Sequence, residues 1–284
     1  MDHRFGGQWT NAKLAALSEY LSIYTKGMAN QPFHKHYIDA FAGNGRFTHK
    51  AGGHEHDGSA RIALGIGGFD RYTFIDLKKR HASQLQALRR DFPQADISVI
   101  HGDANAELQQ LCRGWGRNQR AVVFLDPYGL ALQWHTLLAI SGTEGIDVWY
   151  LFPLNGLLRQ MARSPDARDD AKDRALDTLL GTPAWRTELY HSHPVDDLFG
   201  ASAPLERKQL DQVRPWLSAR FATAFPYVEE VAVLRTGHSG SRHGGAALYS
   251  LYFMMGNRSK TAIALASKFV AGVRTKLRRE NVIA

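Results

Sequence analysis

Four times between residues 33 and 126 a short apolar run meets an aspartate, and the second, third and fourth of these runs give way to a stretch with helical spacing. The first run starts at Phe33 and enters Asp39. The others span residues 72–76, 97–102 and 121–126, and carry Asp76, Asp103 and Asp126 at their ends. A fifth run covers 147–152, and helical stretches at 78–91, 105–115 and 133–141 separate the strands. A strand that waits for a helix before the next strand re-enters the sheet from the same end. The sheet is therefore predicted to be parallel, with helices on both faces.

The flanking segments complete the prediction. Leu14, Leu17, Leu21 and Tyr24 recur at three- and four-residue spacing behind Thr10 or Asn11, which predicts an amphipathic helix capped by one of those two residues. After Pro153, residues 154–191 read as helical, rich in Arg and Asp, with no convincing strand. Strands at 227–235 and 247–255 flank a Gly-, Ser- and His-rich turn and predict a β-hairpin, and a helix at 261–279 follows. The expected division is a helical segment 1–35, a core 36–153, a helical insertion 154–226, and a hairpin and helix 227–284 that complete the core. Cys112 stands alone, so an internal disulfide or a cysteine-built metal site is excluded and a reducing, cytoplasmic setting is expected. The 35 Lys and Arg against 27 Asp and Glu give a net charge of +8, which favours polyanions such as RNA or DNA and equally suits a solvated basic surface.

In a doubly wound sheet, ligands bind beyond the carboxyl ends of the strands, where the four aspartates fall. The first of these ends reads Asp39-Ala40-Phe41-Ala42-Gly43-Asn44-Gly45. Gly43 and Gly45 allow close approach of backbone to ligand, but a third glycine is missing and Asp39 would repel a pyrophosphate. The same carboxylate would attract an ammonium group. Asp76 is placed for two ribose hydroxyls, and Asp103 with the Ala104 amide is placed for an adenine edge. Each aspartate alone reads equally well as a helix cap or turn residue; the set in order describes S-adenosylmethionine. Five parallel strands and a terminal hairpin are, moreover, the inventory of a Rossmann-like class I methyltransferase fold: a seven-stranded, mostly parallel sheet with a terminal antiparallel hairpin, here with a helical insertion.

The fourth strand runs into Asp126-Pro127-Tyr128-Gly129. It resembles the Asp-Pro-Pro-Tyr signature of amino methyltransferases, with one proline and the aromatic residue one position early. On that reading Asp126 and the Pro127 carbonyl hold an amino group and Tyr128 stacks on a planar base. In the alternative, Asp126 caps the next helix and Tyr128 packs over the sheet edge. The blocks Trp9-Thr-Asn-Ala-Lys-Leu14, Tyr37-Ile-Asp-Ala-Phe-Ala-Gly-Asn-Gly-Arg46, Gly58-Ser59, Phe124-Leu-Asp-Pro-Tyr-Gly129 with Trp134, and Asp147-Val-Trp149 resemble the three-Cys-motif partner protein family. That resemblance implies a class I methyltransferase-like fold and association with a radical-S-adenosylmethionine-like protein that carries the three-cysteine motif.

Arg46, Ser59, Arg235, His238, Arg242 and His243 are further candidates for substrate contact, the last four because the sixth strand points its end at the active edge. The groups His49, His54, Glu55, His56, Asp57 and His191, His193, Asp196 hold metal-ligand types without metal-site spacing, so no metal is expected. Lys268, Arg274, Lys276, Arg278 and Arg279 load the last helix, which the helix dipole favours.

Overall fold

The computed structural model describes residues 8–48, 55–163, 168–192, 205–236, 245–280 and 283. Its elements are α1 (Gln8–Gly27), β1 (His34–Asp39), β2 (Arg46–Thr48), β3 (Glu55–Asp57), α2 (Ser59–Ile66), β4 (Arg71–Asp76), α3 (Lys79–Gln86), α4 (Leu88–Asp91), β5 (Ile97–His101), α5 (Ala104–Arg113) and β6 (Gln119–Leu125). The chain continues through α6 (Trp134–Gly142), β7 (Ile146–Phe152), α7 (Leu154–Gln160), α8 (Asp170–Leu180), α9 (Trp185–Glu188), β8 (Tyr190–Ser192), β9 (Leu205–Arg207), α10 (Leu210–Ala222), β10 (Tyr227–Arg235), β11 (Ala247–Met255) and α11 (Lys260–Arg279).

Seven strands form one sheet in the order β10-β11-β7-β6-β1-β4-β5. β5, β4, β1, β6 and β7 run parallel, while β11 is antiparallel to both β7 and β10. This is the Rossmann-like fold of class I methyltransferases, and it carries the expected terminal antiparallel pair. Alternation along the strands splits the core between two faces. Ile38, Val123, Val148 and Tyr150 face the side packed by α5, α6 and the elements after β7. Tyr37, Phe74, Val122 and Trp149 face α1, α2 and α11. Leu14, Leu17, Leu21 and Tyr24 of α1 are all buried, as their spacing predicts.

The structure corrects three local expectations. Helix α1 starts at Gln8, so Thr10 and Asn11 lie inside it rather than capping it, and Thr10 is buried. The stretch 78–91 is broken at Ala87 into α3 and α4. Residues 154–191 do contain a strand, because β8 starts at Tyr190 and pairs with β9 in a small antiparallel ribbon. Three-residue strands of this kind carry too few alternations to be read from a sequence. Strands β2 and β3 form a second ribbon between the glycine loop and α2.

Trp134 and Gly181 join the region after β7 to the sheet. Gly181 ends α8 in the left-handed conformation, φ 65°, and a β-carbon there would fall 2.1 Å from the Trp134 ring. The Arg220 guanidinium lies 4.0 Å from the centre of the same ring and donates to the carbonyls of Leu180 and Gly181 at 2.7 and 3.0 Å. One indole thus seats three elements.

Candidate functional site

The strand order reverses between β1 and β6, and Asp39 and Asp126 stand at the carboxyl ends of those two neighbours. Such a reversal leaves a crevice, because the connections leave the two strands toward opposite faces. Asp39 closes β1 and is 0% exposed. Neither of its carboxylate oxygens has a hydrogen-bond partner. Burial pushes its pKa up to about 7, and the Asp126 charge adds to this; the Ser59 hydroxyl, the Lys13 charge and the Phe41 amide pull the other way. A buried, unsatisfied carboxylate is costly in a folded protein and marks a place where a cationic partner would be bound strongly.

Lys13 was not among the residues expected in the site. It reaches across from α1, is 8% exposed, and donates from Nζ to Asp126 Oδ2. A signal was present, since Lys13 precedes Leu17 by four residues and Leu21 by eight, on the apolar stripe of α1. A lysine on a buried stripe needs a carboxylate partner, and Asp126 supplies it. Among the described residues Lys13 is the one hydrogen-bond partner of Asp126, whose side chain stays 26% exposed. Asp126 does not cap α6, which begins eight residues later behind Gln133. Tyr128 does not pack on the sheet edge: it is 80% exposed, next to a buried Pro127.

The loop after β1 is held from three sides. The Ala40 amide donates to Phe124 O at 3.2 Å, the Ala42 amide to Ile75 O at 3.0 Å, and the Gly43 amide to Asp76 Oδ2 at 2.9 Å. Gly43 and Gly45 have φ of 61° and 77°, and a β-carbon on Gly43 would meet open space. Gly45 is buried and accepts from the Gly58 amide at 2.9 Å, which brings Ser59 at the start of α2 under the loop. Phe41 is half-buried against the core.

Asp76 is also tied by its second oxygen, Oδ1, to the Lys78 amide at 2.8 Å and to His81 Nδ1 at 3.1 Å. Asp103 caps α5, with Oδ1 accepting from the Ala106 amide at 3.0 Å, and Ala104 is the buried first residue of that helix. The cap reading is therefore true of Asp103, which leaves Oδ2 for other contacts. Arg46 lies on β2 and pairs with Glu55 at 2.6 Å. Arg235 ends β10, exposed, and donates to Gly245 O at 3.2 Å. His238, Arg242 and His243 lie outside the described residues, as do His49, His54, His193 and Asp196. Among the described residues no group of three His, Cys, Asp or Glu side chains is close enough to hold a metal ion, and no helix is long and apolar enough to cross a membrane.

Tyr249 on β11 completes the rim. Its pKa is raised by burial first and then by the Asp126 charge, against the pull of Arg159 at the end of α7. A cavity of about 400 Å³ lies elsewhere, lined by Leu64, Phe69, Tyr72, Phe92 and neighbours at the amino ends of β4 and β5. That is the wrong end of a parallel sheet for the chemistry described above.

No family model matches the chain, and no curated protein does. Among solved structures it is similar to protein LPL1258 of Legionella pneumophila, with 12% identity, 73% of this chain and 92% of that chain covered, and a TM-score of 0.40. It is also similar to the methyltransferase domain of bacterial CtHen1-C, with 12% identity, 84% and 98% covered, and a TM-score of 0.39. WbdD, a bifunctional kinase-methyltransferase, gives 11% identity, 90% of this chain, 39% of that chain, and a TM-score of 0.43. Likenesses this distant carry no functional argument, and the fold rests on the strand order itself.

Proposed function

We propose that this protein is an S-adenosylmethionine-dependent methyltransferase that acts on the amino group of a nucleobase or another planar acceptor. The observation that carries this reading is Asp39: a buried carboxylate with two orphaned oxygens, at the start of a glycine loop that faces open space at Gly43. The charges around it do not balance. Among the described residues, Lys13 is the cation that acts on both Asp39 and Asp126. The ammonium of a methionine moiety is the complement such a site lacks, whereas a pyrophosphate would add to the deficit. Asp76, fastened to the loop, and Asp103 with Ala104 supply acceptors and an amide for the nucleoside half.

When bound, S-adenosylmethionine would supply an electrophilic methyl group on its sulfonium sulfur, and Asp39, the glycine loop and Asp76 would hold it. The contribution of the chain is position and charge. Asp126 accepts a hydrogen bond from the acceptor amine and stabilises the positive charge that develops on nitrogen, and the exposed Tyr128 ring stacks on the planar acceptor. The resemblance to three-Cys-motif partner proteins adds the proposal that a radical-S-adenosylmethionine-like protein associates with this chain.

The test is a calorimetric titration of the purified protein with S-adenosylmethionine, beside NAD and beside Asp39→Asn. Saturable binding of S-adenosylmethionine alone, lost in the variant, supports the reading. Absence of binding, or equal binding of NAD, overturns it.

A further inference from the structure

Asn105 is the second residue of α5 and is 4% exposed. Asparagine is a weak helix former, and its amide is costly to bury without partners. Here the partners come from another element. Nδ2 donates to Ala131 O at 2.9 Å, and Oδ1 accepts from the Gln133 amide and from the Thr136 hydroxyl, each at 2.9 Å. A side-chain amide that answers the carbonyl of one residue and the amide two residues on acts as a neighbouring strand would. Gln109, one turn further along α5, adds a bond to the Thr136 hydroxyl at 3.1 Å. All these partners lie in the segment that leads from Asp126 and Tyr128 into α6.

The first turn of α5 is also the place proposed above for the adenine. Asp103 caps that turn, taking the Ala106 amide on Oδ1 and the Glu107 amide on its carbonyl, both at 3.0 Å. We infer that Asn105 is a positioning residue that joins the nucleoside half of the cofactor site to the loop carrying Asp126 and Tyr128, so that adenine binding sets the acceptor loop. The loop cannot swing away at residues 131–133 without stripping a buried amide of its partners, unless the first turn of α5 opens with it. A ligand that binds only the closed turn therefore holds the loop as well. This coupling, which rests on the methyl-transfer reading above, favours cofactor before acceptor, and by reciprocity a bound acceptor tightens the cofactor.

Amide hydrogen exchange of the full chain, read by NMR with and without adenosine, tests this. Adenosine lacks the methionine half, so an effect on the loop has to travel through the protein. At ten times its dissociation constant it should slow a single shared opening by a factor of about 11. Ala106 and Glu107 report the turn, and Gln133 and Thr136 report the loop, the Thr136 amide being bonded to Gln133 O rather than to Asn105. In the wild type all four amides should slow by roughly tenfold. In Asn105→Ala, or in the milder Asn105→Ser, Ala106 and Glu107 should keep that response while Gln133 and Thr136 lose it. Thr136→Val loosens the same contact but leaves the amide splint, and the response at Gln133 should survive in it. Slowing of the turn without the loop in the wild type overturns the inference, leaves the cofactor reading standing and needs no variant to fold. A loop response that persists in the Asn105 variants overturns it too. No slowing at Ala106 and Glu107 means that adenine does not bind at α5, and then the cofactor reading fails there and this inference with it.

Discussion

Asp39 is a residue whose placement works against the stability of the empty protein. Its folded pKa of about 7 stands above the value of 3.8 expected in the unfolded chain, so the folded state binds the proton more tightly. Stability from this group is therefore full below pH 4, is lost as pH rises toward 7, and is constant above it. The Ser59 hydroxyl and the Tyr37 phenol lie near enough to act on the carboxylate, and Asp126 and Lys13 act on it through their charges, but none meets it in full hydrogen-bonding geometry. Asp39→Asn should raise stability at pH 8 by roughly 1–3 kcal/mol, because a neutral amide is cheaper to bury than an unpaired charge. Denaturant melts at pH 5 and pH 8 check this, and the gain should shrink at the lower pH. An S-adenosylmethionine ammonium next to Asp39 would draw off its proton. Affinity should then rise with pH up to about 7 and fall once the ligand's own amine deprotonates near pH 8; calorimetry in buffers of different ionisation enthalpy reads the proton released. Asp39 itself was legible in the sequence, as the charged residue at the mouth of a glycine loop. Its surroundings were not, because Ser59 and Lys13 arrive from positions 20 and 26 residues away in the sequence.

At the scale of elements, the glycine loop and the ribbon that follows it form one device. Gly58 lies so close that a β-carbon on it would come within 2.9 Å of Gly45 C and 3.0 Å of Gly45 O. Gly58→Ala should push the loop off its seat and weaken S-adenosylmethionine binding about tenfold or more, while the melting temperature moves little, because β3, which leads into Gly58, is exposed. The opposite pattern is expected at Gly181, where alanine would combine left-handed strain with a collision into Trp134. Gly181→Ala should cost about 2–4 kcal/mol, seen as a melting point several degrees lower. The five parallel strands and the terminal pair were readable because each combines a long apolar run with a turn signal. The ribbons β2-β3 and β8-β9 were not, since three residues with polar side chains, as in Glu55-His56-Asp57, have no periodicity to read. Lys13 sits between these cases: its place on an apolar stripe was visible, but its partner depends on how α1 folds back over the sheet.

Across the whole molecule, many basic side chains are matched by acidic partners, which leaves the net charge of +8 unchanged. Lys276 pairs with Glu19 of α1, and Arg274 with Glu229 of β10 at 2.5 Å, so the basic end of α11 braces two neighbours rather than facing solvent alone. Arg61 with Asp57 and Asp91, Arg186 with Asp173 and Asp177, and Arg214 with Glu230 are engaged in the same way. Exposed positive charge beside the site comes instead from Arg159, at the end of α7, and Arg235, at the end of β10; β7 and β10 both run antiparallel to β11, so α7 and Arg235 share the edge that carries Asp126. If the acceptor base belongs to a single strand, these two guanidiniums are placed to meet its phosphates, and each contact should contribute about −0.7 to the slope of log affinity against log salt. Binding of a single-stranded oligomer measured across a salt series should then lose roughly that much slope in Arg159→Ala and again in Arg235→Ala. A slope near zero in the wild-type protein would mean that the base is taken as a small molecule, with the positive charge of this face left to solvent.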